Sequence, residues 1–372
     1  MGNLKLAMVA GARPNFMKIA PLMKQIAAHN TQKGPSVIPV DVLLVHTGQH
    51  YDENMSEIFF RELGIRRPDI NLGVGSASHA VQTGSILTGF ETVCEREKPD
   101  WVVVVGDVNS TMACAIVCAK LGIRIAHIEA GLRSFDRTMP EEINRIVTDA
   151  LADLLLTPSR DANENLIHEG VSEEKIKFVG NIMIDSLIEN LPKARSLDTL
   201  ARLGLEPGRF AYVTLHRPSN VDGRDNLSTI MSGLAHFSRN LPMVFPIHPR
   251  TRKKLTEFGL TPRLDGQLLL LEPIGYLESL CLTENARLVL TDSGGLQEEA
   301  TFFRTPCLTL RPTTERPVTV TMGSNRLTKF DSLIDDVGTV LGGPVRTGQI
   351  PPLWDGHTAK RVLGHLLAAS VG

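Results

Sequence analysis

The chain of 372 residues has no C-x-x-C pair, no apolar run of membrane-spanning length and almost no net charge, and each absence excludes a class of function. Its five cysteines, Cys94, Cys114, Cys118, Cys281 and Cys307, are odd in number and lie mostly in apolar runs. They read as buried thiols of a reducing compartment, not as a disulfide framework. The opening stretch "MGNLKLAMVAGARP" has an apolar core too short for a signal peptide and meets Arg13 and Pro14 at once. Cytoplasmic localisation without a membrane partner is therefore expected. A formal net charge of -2, with 42% hydrophobic and 22% charged residues, describes a soluble globular protein. That balance offers no electrostatic case for a nucleic-acid partner.

Two nucleotide signatures are missing as well. No G-x-G-x-x-G follows the first apolar run, which argues against a nicotinamide cofactor, and no G-x-x-x-x-G-K-[ST] loop offers a seat for a nucleoside triphosphate. There is no short-period repeat and no low-complexity segment. At this length a single core stops growing, so two domains of ordinary size are the natural reading.

What the chain does have is a series of short, β-rich apolar runs with helical patterns between them: "LKLAMVA", "VDVLLVH", "DWVVVVGD", "IRIAHIE", "ADLLLTPS" and "IKFVGN". After the polar stretch "NLPKARSLDTLARLGLEPG" a second series begins: "FAYVTLH", "MVFPIH", "LLLLEP", "ARLVLTD" and "PCLTL". Continuous runs bounded by turn signals and alternating with helices predict parallel sheets covered on both faces. The fold class is α/β, with two doubly wound Rossmann-like domains, residues 1–188 and 189–354, facing a central cleft. A closing helix within 355–372 is expected to pack back on the first domain.

Ligands of open α/β sheets bind outside the carboxyl ends of the strands, so the residues at those ends are the candidates. Arg13 and Lys18 follow the first run at the start of a helix, where positive charge opposes the dipole. Either both are solvated, or an anion such as phosphate sits between them. Asp107 ends "WVVVVGD" and is either a turn residue or a catalytic acid, since Asn109 or Ser110 would cap the next helix instead. Glu129 ends "IRIAHIE", either solvated at the rim or aimed into the cleft, and Gly131 after it permits close backbone approach. His127 reads as a satisfied structural histidine.

In the second series His216, Arg217 and His248 stand at strand ends. Ser293, Gly294 and Gly295 in "LTDSGGLQEEA" open a helix whose amides suit an anion or nucleotide, while Glu298 and Glu299 are first-turn acids or acceptors for a ribose diol. Arg311, Glu315 and Arg316 form a second phosphate clamp or a rigid surface turn.

The segment "HIEAGLRSFDRTMPEEINR" carries the densest charge. Thr138 and Glu141 match a capping box, Pro140 suits a first turn, and Glu141 with Arg145 is an i,i+4 pair in the favourable order. A helical wheel puts Ile143, Ile146, Val147, Ala150 and Leu151 on the apolar, core-facing side, with Glu141 opposite and alongside Arg145. Glu141 then faces solvent or the cleft, and Asp136 and Glu142 keep ordinary roles.

Taken together, "GARPNFMKIAPL", "TGQHYDENM", "GDVNST", "HIEAGLRSFDRTMPEEINR", "GNIMIDSL", "TLHRPSN", "HPRT", "TDSGGLQEEA" and "TTERP" resemble the non-hydrolysing UDP-N-acetylglucosamine 2-epimerase family, in the right order from residue 8 to about residue 330. The resemblance implies a GT-B-like arrangement of the two domains and a reversible conversion of UDP-N-acetylglucosamine to UDP-N-acetylmannosamine. The route would be elimination of UDP to a 2-acetamidoglucal and re-addition, with no redox cofactor and no metal. It further implies Asp107, Glu129 and Glu141 as acid/base carboxylates and His216 near the leaving group. Arg13 and Lys18 would contact phosphate or a nearby acid, Ser293, Gly294 and Gly295 the pyrophosphate, Glu299 the ribose and Arg316 the nucleotide phosphates. Several members are activated by a second substrate molecule beside the active site; Gln49 and His50 match its contacts, with His248 a further candidate. The UDP-sugar is the expected ligand and a homodimer the expected assembly.

The chain departs from the commonest pattern at Ser219, where many members carry Glu, and in a short segment between Glu129 and Glu141. Both features resemble subgroups acting on more oxidised or modified UDP-sugars. Three rivals share the architecture: a hydrolysing epimerase releasing N-acetylmannosamine and UDP, a glycosyltransferase, and a nucleotide-sugar sensor without catalysis. The retained carboxylates rank the sensor last.

Overall fold

A parallel sheet covered on both faces has no wet side, so its inner strands read as nearly continuous apolar runs. The run "WVVVV" meets that condition and is buried at all five of its residues. The computed structural model describes residues 3–32, 34, 37–48, 64–260 and 267–371, without the side chains of Arg13 and Val371. Among these residues the strands are β1 (Leu4–Ala10), β2 (Val40–His46), β3 (Ile70–Asn71), β4 (Trp101–Val105), β5 (Arg124–Ile128), β6 (Leu154–Thr157), β7 (Ile176–Phe178), β8 (Ala211–Thr214), β9 (Met243–Pro246), β10 (Leu268–Leu271), β11 (Leu288–Thr291), β12 (Cys307–Leu310) and β13 (Asn325–Thr328).

All pairings are parallel. They build two sheets of order β3-β2-β1-β4-β5-β6-β7 and β10-β9-β8-β11-β12-β13. In each, the chain winds outward from one strand and then returns to start again on its other side. The two reversals lie between β1 and β4 and between β8 and β11, the places where open α/β sheets offer their strand ends to a ligand. The short edge strands β3 and β13 lack a continuous apolar run, which is why hydrophobic patterning did not predict them; β3 is only two residues long.

Contacts divide the chain into one unit of residues 1–186 with 352–372 and a second of residues 187–351. In the first, Val9, Val102 and Val104 pack with Ile86, Phe90 and Cys118 under helices His79–Glu97 and Asn109–Leu121. In the second, Val213, Phe245 and Leu290 serve one face of the sheet and Tyr212, Val244 and Val289 the other. All five cysteines are buried and free. No helix among the described residues is long and apolar enough to cross a membrane.

The final segment belongs to the first unit through specific polar ties. The Asp185 carboxylate accepts the amides of Thr358 and Ala359, at 3.1 and 2.8 Å, and so caps the helix Thr358–Val371. Trp354 Nε1 donates to the Pro158 carbonyl at 3.1 Å, and Trp101 Nε1 to the Ser370 hydroxyl at 3.0 Å.

Candidate active-site elements

In the first unit the candidates gather at the carboxyl ends of β1, β4 and β5. Asn15, in the first turn of helix Arg13–Asn30, ties these ends together. Its Oδ1 accepts the amides of Gly11 and Ala12 at 3.0 and 2.8 Å, and its Nδ2 donates to the Val105 carbonyl at 2.9 Å. Lys18, one turn on, is buried and ion-paired with the buried Glu129. The anion that the misplaced cation called for is thus supplied, in this structure, by a protein carboxylate. Arg13 opens the helix, and its side chain lies outside the described residues.

Glu129 takes a left-handed backbone conformation, φ 71°, that a residue with a Cβ adopts only at a cost. Its amide and that of Ala130 both donate to the Leu156 carbonyl, at 3.1 and 3.2 Å, so the turn is held by β6. Gly106, at φ 71°, stands against the pair: a Cβ there would meet Lys18 Nζ at 3.1 Å and Glu129 Oε2 at 3.2 Å. Only glycine combines that backbone with that room.

Asp107, one residue further, is partly exposed and ion-paired with Arg145. Its backbone carbonyl accepts from Asn144 Nδ2 at 2.8 Å. Asn109 and Ser110 do not cap the following helix as expected; the N-cap position is Val108, without a side-chain bond. Asn109 instead donates to Gln82 at 2.8 Å, and Ser110 shares a hydrogen bond with Thr47 at 2.7 Å.

The helix Pro140–Leu151 corrects the sequence reading on three points. Its N-cap position is Met139, with no side-chain cap, and the Thr138 hydroxyl turns back to Asp136 at 2.6 Å, so the capping box is absent. Arg145 pairs with Glu142 at 2.7 Å and with Asp107, not with Glu141. The buried face is the polar one, Glu142, Asn144, Arg145, Thr148 and Asp149, while Ile143, Ile146, Val147 and Leu151 are only half-buried and Ala150 is exposed. Charged residues go inward here because each finds partners: buried ions are tolerated when paired and hydrogen-bonded. Burial works to raise the pKa of Glu142, but the Ser134 amide, Arg145 and the Phe135 amide outweigh it and hold the carboxyl below its ordinary range. Glu141 is exposed, away from the unit's core as expected, though not for the reason the helical wheel supplied.

His127 is a structural histidine, as read from the sequence. Its ring nitrogens face Asp149 Oδ1 at 2.6 Å and the Gly106 carbonyl at 2.9 Å, and Asp149 also holds Arg133 at 2.7 Å. This buried triad fixes the Gly106 turn from below.

In the second unit the ends of β8 and β11 lie side by side, and Asp292 is the residue the sequence reading passed over. Its side chain is fully buried and accepts the amides of His216 and Arg217 at 3.0 and 2.9 Å and Asn220 Nδ2 at 3.0 Å, while His216 Nδ1 stands 2.9 Å from its other oxygen. Burial pushes its carboxyl pKa up, but His216, the Arg217 amide and Asn220 together bring it below the usual range. The signal was present, an acid ending one apolar run and a histidine ending another, but only the strand order makes them neighbours.

His248 flanks this pair, its ring centroid 5.6 Å from that of His216. Its side chain also caps helix Pro249–Phe258 by accepting the Arg250 amide at 3.2 Å. Burial, then His216 and Arg250, lower its pKa. Gln49 and His50 fall outside the described residues.

Ser293 is the N-cap residue of helix Gly294–Phe303, as expected. A Cβ on Gly294 would stand 2.7 Å from Arg316 Nη1, so the guanidinium lies directly against the helix start, whereas a Cβ on Gly295 would meet nothing within 4 Å. Arg316 is itself held by Glu298 at 2.8 Å and by Glu315, which Arg311 braces from the other side at 2.7 Å. Glu298 and Glu299 are buried, not first-turn surface acids. Burial, helped by Glu298, pushes Glu299 up to about 8, and its Oε2 has no hydrogen-bond partner among the described residues.

The second unit by itself can hold a diphosphate at a helix start and offer a ribose an acidic partner, and the first by itself presents paired carboxylates suited to proton transfer. A family model described as UDP-N-acetylglucosamine 2-epimerase matches residues 37–367. A UDP-N-acetylglucosamine 2-epimerase of Methanococcus maripaludis is 45% identical over 334 residues, covering 88% of each chain. A UDP-2,3-diacetamido-2,3-dideoxy-D-glucuronate 2-epimerase of Pseudomonas aeruginosa is 42% identical and covers 98% of this chain and 99% of its own. The crystal structure of a Methanocaldococcus jannaschii UDP-GlcNAc 2-epimerase in complex with UDP-GlcNAc and UDP has a TM-score of 0.88 to this chain at 41% identity, covering 98% of this chain and 100% of that one.

Proposed function

The chain belongs to the UDP-N-acetylglucosamine 2-epimerase family, and on that premise we propose that it interconverts UDP-N-acetylglucosamine and UDP-N-acetylmannosamine. The observation that carries this reading is the pair of carboxylates, Asp107 and Glu129, at the ends of the hydrogen-bonded neighbours β4 and β5, each opposite its own cation.

The C2 proton of the sugar is not adjacent to a carbonyl, so its simple removal would leave an unstabilised carbanion. Departure of UDP from C1 removes that obstacle. The C1–O bond breaks with its electron pair going to UDP, a protein base takes the C2 proton, and the C–H pair becomes the C1=C2 double bond of 2-acetamidoglucal. Return of UDP to C1 and of a proton to the opposite face of C2 completes the inversion without any change of oxidation state. Two faces require acid/base groups on both sides of the ring, which Asp107, Glu129 and Glu141 are suited to provide. Developing negative charge on the leaving diphosphate is met by the helix start at Ser293, Gly294 and Gly295 and by Arg13 and His216, while Lys18 serves the nearby acid Glu129. The charge of Arg316 is already balanced by Glu298 and Glu315, so it contributes an oriented N–H fork more than net charge. Glu299, largely protonated near neutral pH, can both accept from and donate to a ribose diol.

Incubation in deuterium oxide tests the reading: deuterium should appear at C2 of both UDP-sugars recovered. Recovered substrate with no deuterium at C2 would overturn it in favour of a glycosyltransferase, and accumulation of free N-acetylmannosamine with UDP in favour of a hydrolysing epimerase. The nearly full-length match to the Pseudomonas aeruginosa relative supports a second reading, a modified UDP-sugar with the same chemistry at C1 and C2. The better kcat/KM of UDP-N-acetylglucosamine over UDP-2,3-diacetamido-2,3-dideoxy-D-glucuronate is expected, and the reverse order selects the second reading.

The same proposal extends to assembly and place. The outward apolar side of helix Pro140–Leu151 suits a homodimer interface, as does Phe135 at 77% exposure. Light scattering is expected to return twice the chain mass, and a monomer mass at micromolar concentration contradicts it. Five free, buried thiols fit the cytoplasm.

A further inference from the structure

From the placement of Asp292 beneath His216 we infer that Asp292 is a positioning residue of the proposed reaction: it holds the His216 ring through Nδ1–H, so that the protonated ring presents its Nε2–H to the departing diphosphate. The inference rests on the epimerase reading for its chemistry and on the second unit alone for its geometry.

The strands β8 and β11 pair from Leu288 opposite Ala211 to Thr291 opposite Thr214. The next residue of β11 is therefore carried to the level at which β8 turns into the loop His216–Asn220. Asp292 is anchored there by its own amide, which donates to the Thr214 carbonyl at 3.2 Å. Its two oxygens do different work and share only the His216 amide, which also stands 3.2 Å from Oδ1. Oδ2 collects the His216 and Arg217 amides and Asn220 Nδ2 at 2.9 to 3.0 Å, which shapes the loop. Oδ1 faces His216 Nδ1 at 2.9 Å.

An ionised carboxylate only accepts hydrogen bonds, so the nitrogen facing it must donate. In the neutral ring the hydrogen is then on Nδ1 and the lone pair on Nε2, so a proton taken up by the ring goes to Nε2 and makes it a donor toward the diphosphate. The imidazole side chain is 42% exposed while Asp292 is at 0%, so the carboxylate is spent on the protein side and the free nitrogen belongs to the open side. The neighbouring His248 ring limits rotation from the flank. This is the orienting logic of an acid behind a histidine, in which the acid selects the tautomer and does not itself touch the substrate.

A purely structural role for Asp292, bracing the loop, makes a different prediction. Asparagine keeps an oxygen for the backbone amides but turns an N–H toward Nδ1, which forces the hydrogen of the neutral ring to Nε2 and opposes the doubly protonated ring that the carboxylate supports. Asp292→Asn is therefore expected to retain a cooperative melt and UDP binding, to lower kcat at least about a hundredfold with KM changed little, and to move His216 to the Nε2–H tautomer in nitrogen-15 imidazole spectra. The His216 signal is identified by its loss in His216→Gln. In the His216→Gln background Asp292→Asn should cost nothing further, since it acts through the ring.

Wild-type protein showing the Nε2–H tautomer overturns the inference even if Asp292→Asn does not fold. So does a folded Asp292→Asn with wild-type kcat, or a full additional loss in the double variant. Inactivity of the wild-type protein on both UDP-sugars is the separate failure of the epimerase reading, and the tautomer measurement stands without it.

Discussion

Glu129→Gln should lower turnover by at least about two orders of magnitude in both directions, the usual cost of losing a positioned acid or base. The residue is singled out by three independent features: a buried carboxylate, a buried lysine as partner, and a left-handed backbone at φ 71°. A left-handed conformation costs a side-chain-bearing residue about 1–2 kcal/mol, and a turn concerned only with stability would place glycine there. The substitution keeps shape and hydrogen-bonding reach but leaves Lys18 facing a neutral amide. A broken buried pair destabilises by itself, so the test needs the thermal melt beside kcat and deuterium entry at C2. Lys18→Met with Glu129→Gln removes both charges and should restore part of the melting temperature without restoring turnover. Near-normal turnover of the single variant removes Glu129 from the chemistry.

The largest stability effect is expected at Asp149. Its carboxylate is buried between His127 and Arg133, and its Oδ2 also accepts the Gly131 amide at 3.0 Å. Asp149→Ala leaves a buried guanidinium without this partner and should cost about 3–5 kcal/mol, typical of a broken buried pair. For a unit of this size that is a fall in Tm on the order of 10 °C. Burial pushes the Asp149 pKa up, yet His127 and Arg133 prevail and keep it below the ordinary range. A carboxyl whose folded pKa is depressed contributes stability that is fully present above the unfolded value, about 3.9, and is lost as pH falls through the folded value. Urea melts of the wild type should therefore weaken below about pH 4, and the Asp149→Ala protein should show a shallower acid slope in that window. A Tm unchanged by the substitution would show that the triad contributes nothing.

Much of the fold was legible because buried parallel strands announce themselves. The runs ending at Ala10, Val105, Ile128, Thr214 and Thr291 are mostly apolar, and the residues just past them are the ones with chemistry. Helix Pro140–Leu151 was misread for an equally physical reason. Hydrophobic periodicity assumes that apolar side chains choose the buried face, but Glu142, Arg145 and Asp149 each had a partner waiting on other elements, and the paired charges went in. A pairing across distant segments leaves no periodic trace in one helix.

The sequence by itself determined the two series of strands, the anion-friendly start at Ser293 and the carboxylates Asp107 and Glu129 at strand ends, because these depend on local pattern and on which residue follows an apolar run. Strand order was decided only in three dimensions. It set β8 beside β11, which turned Asp292 into the support of His216, and β4 beside β5, which brought Gly106 against Lys18 and Glu129. Whether an acid is a surface cap, a buried anchor or a reacting group depends on the partners that long-range packing brings to it. No stretch of sequence around Glu129, Glu142 or Asp292 contains all of theirs.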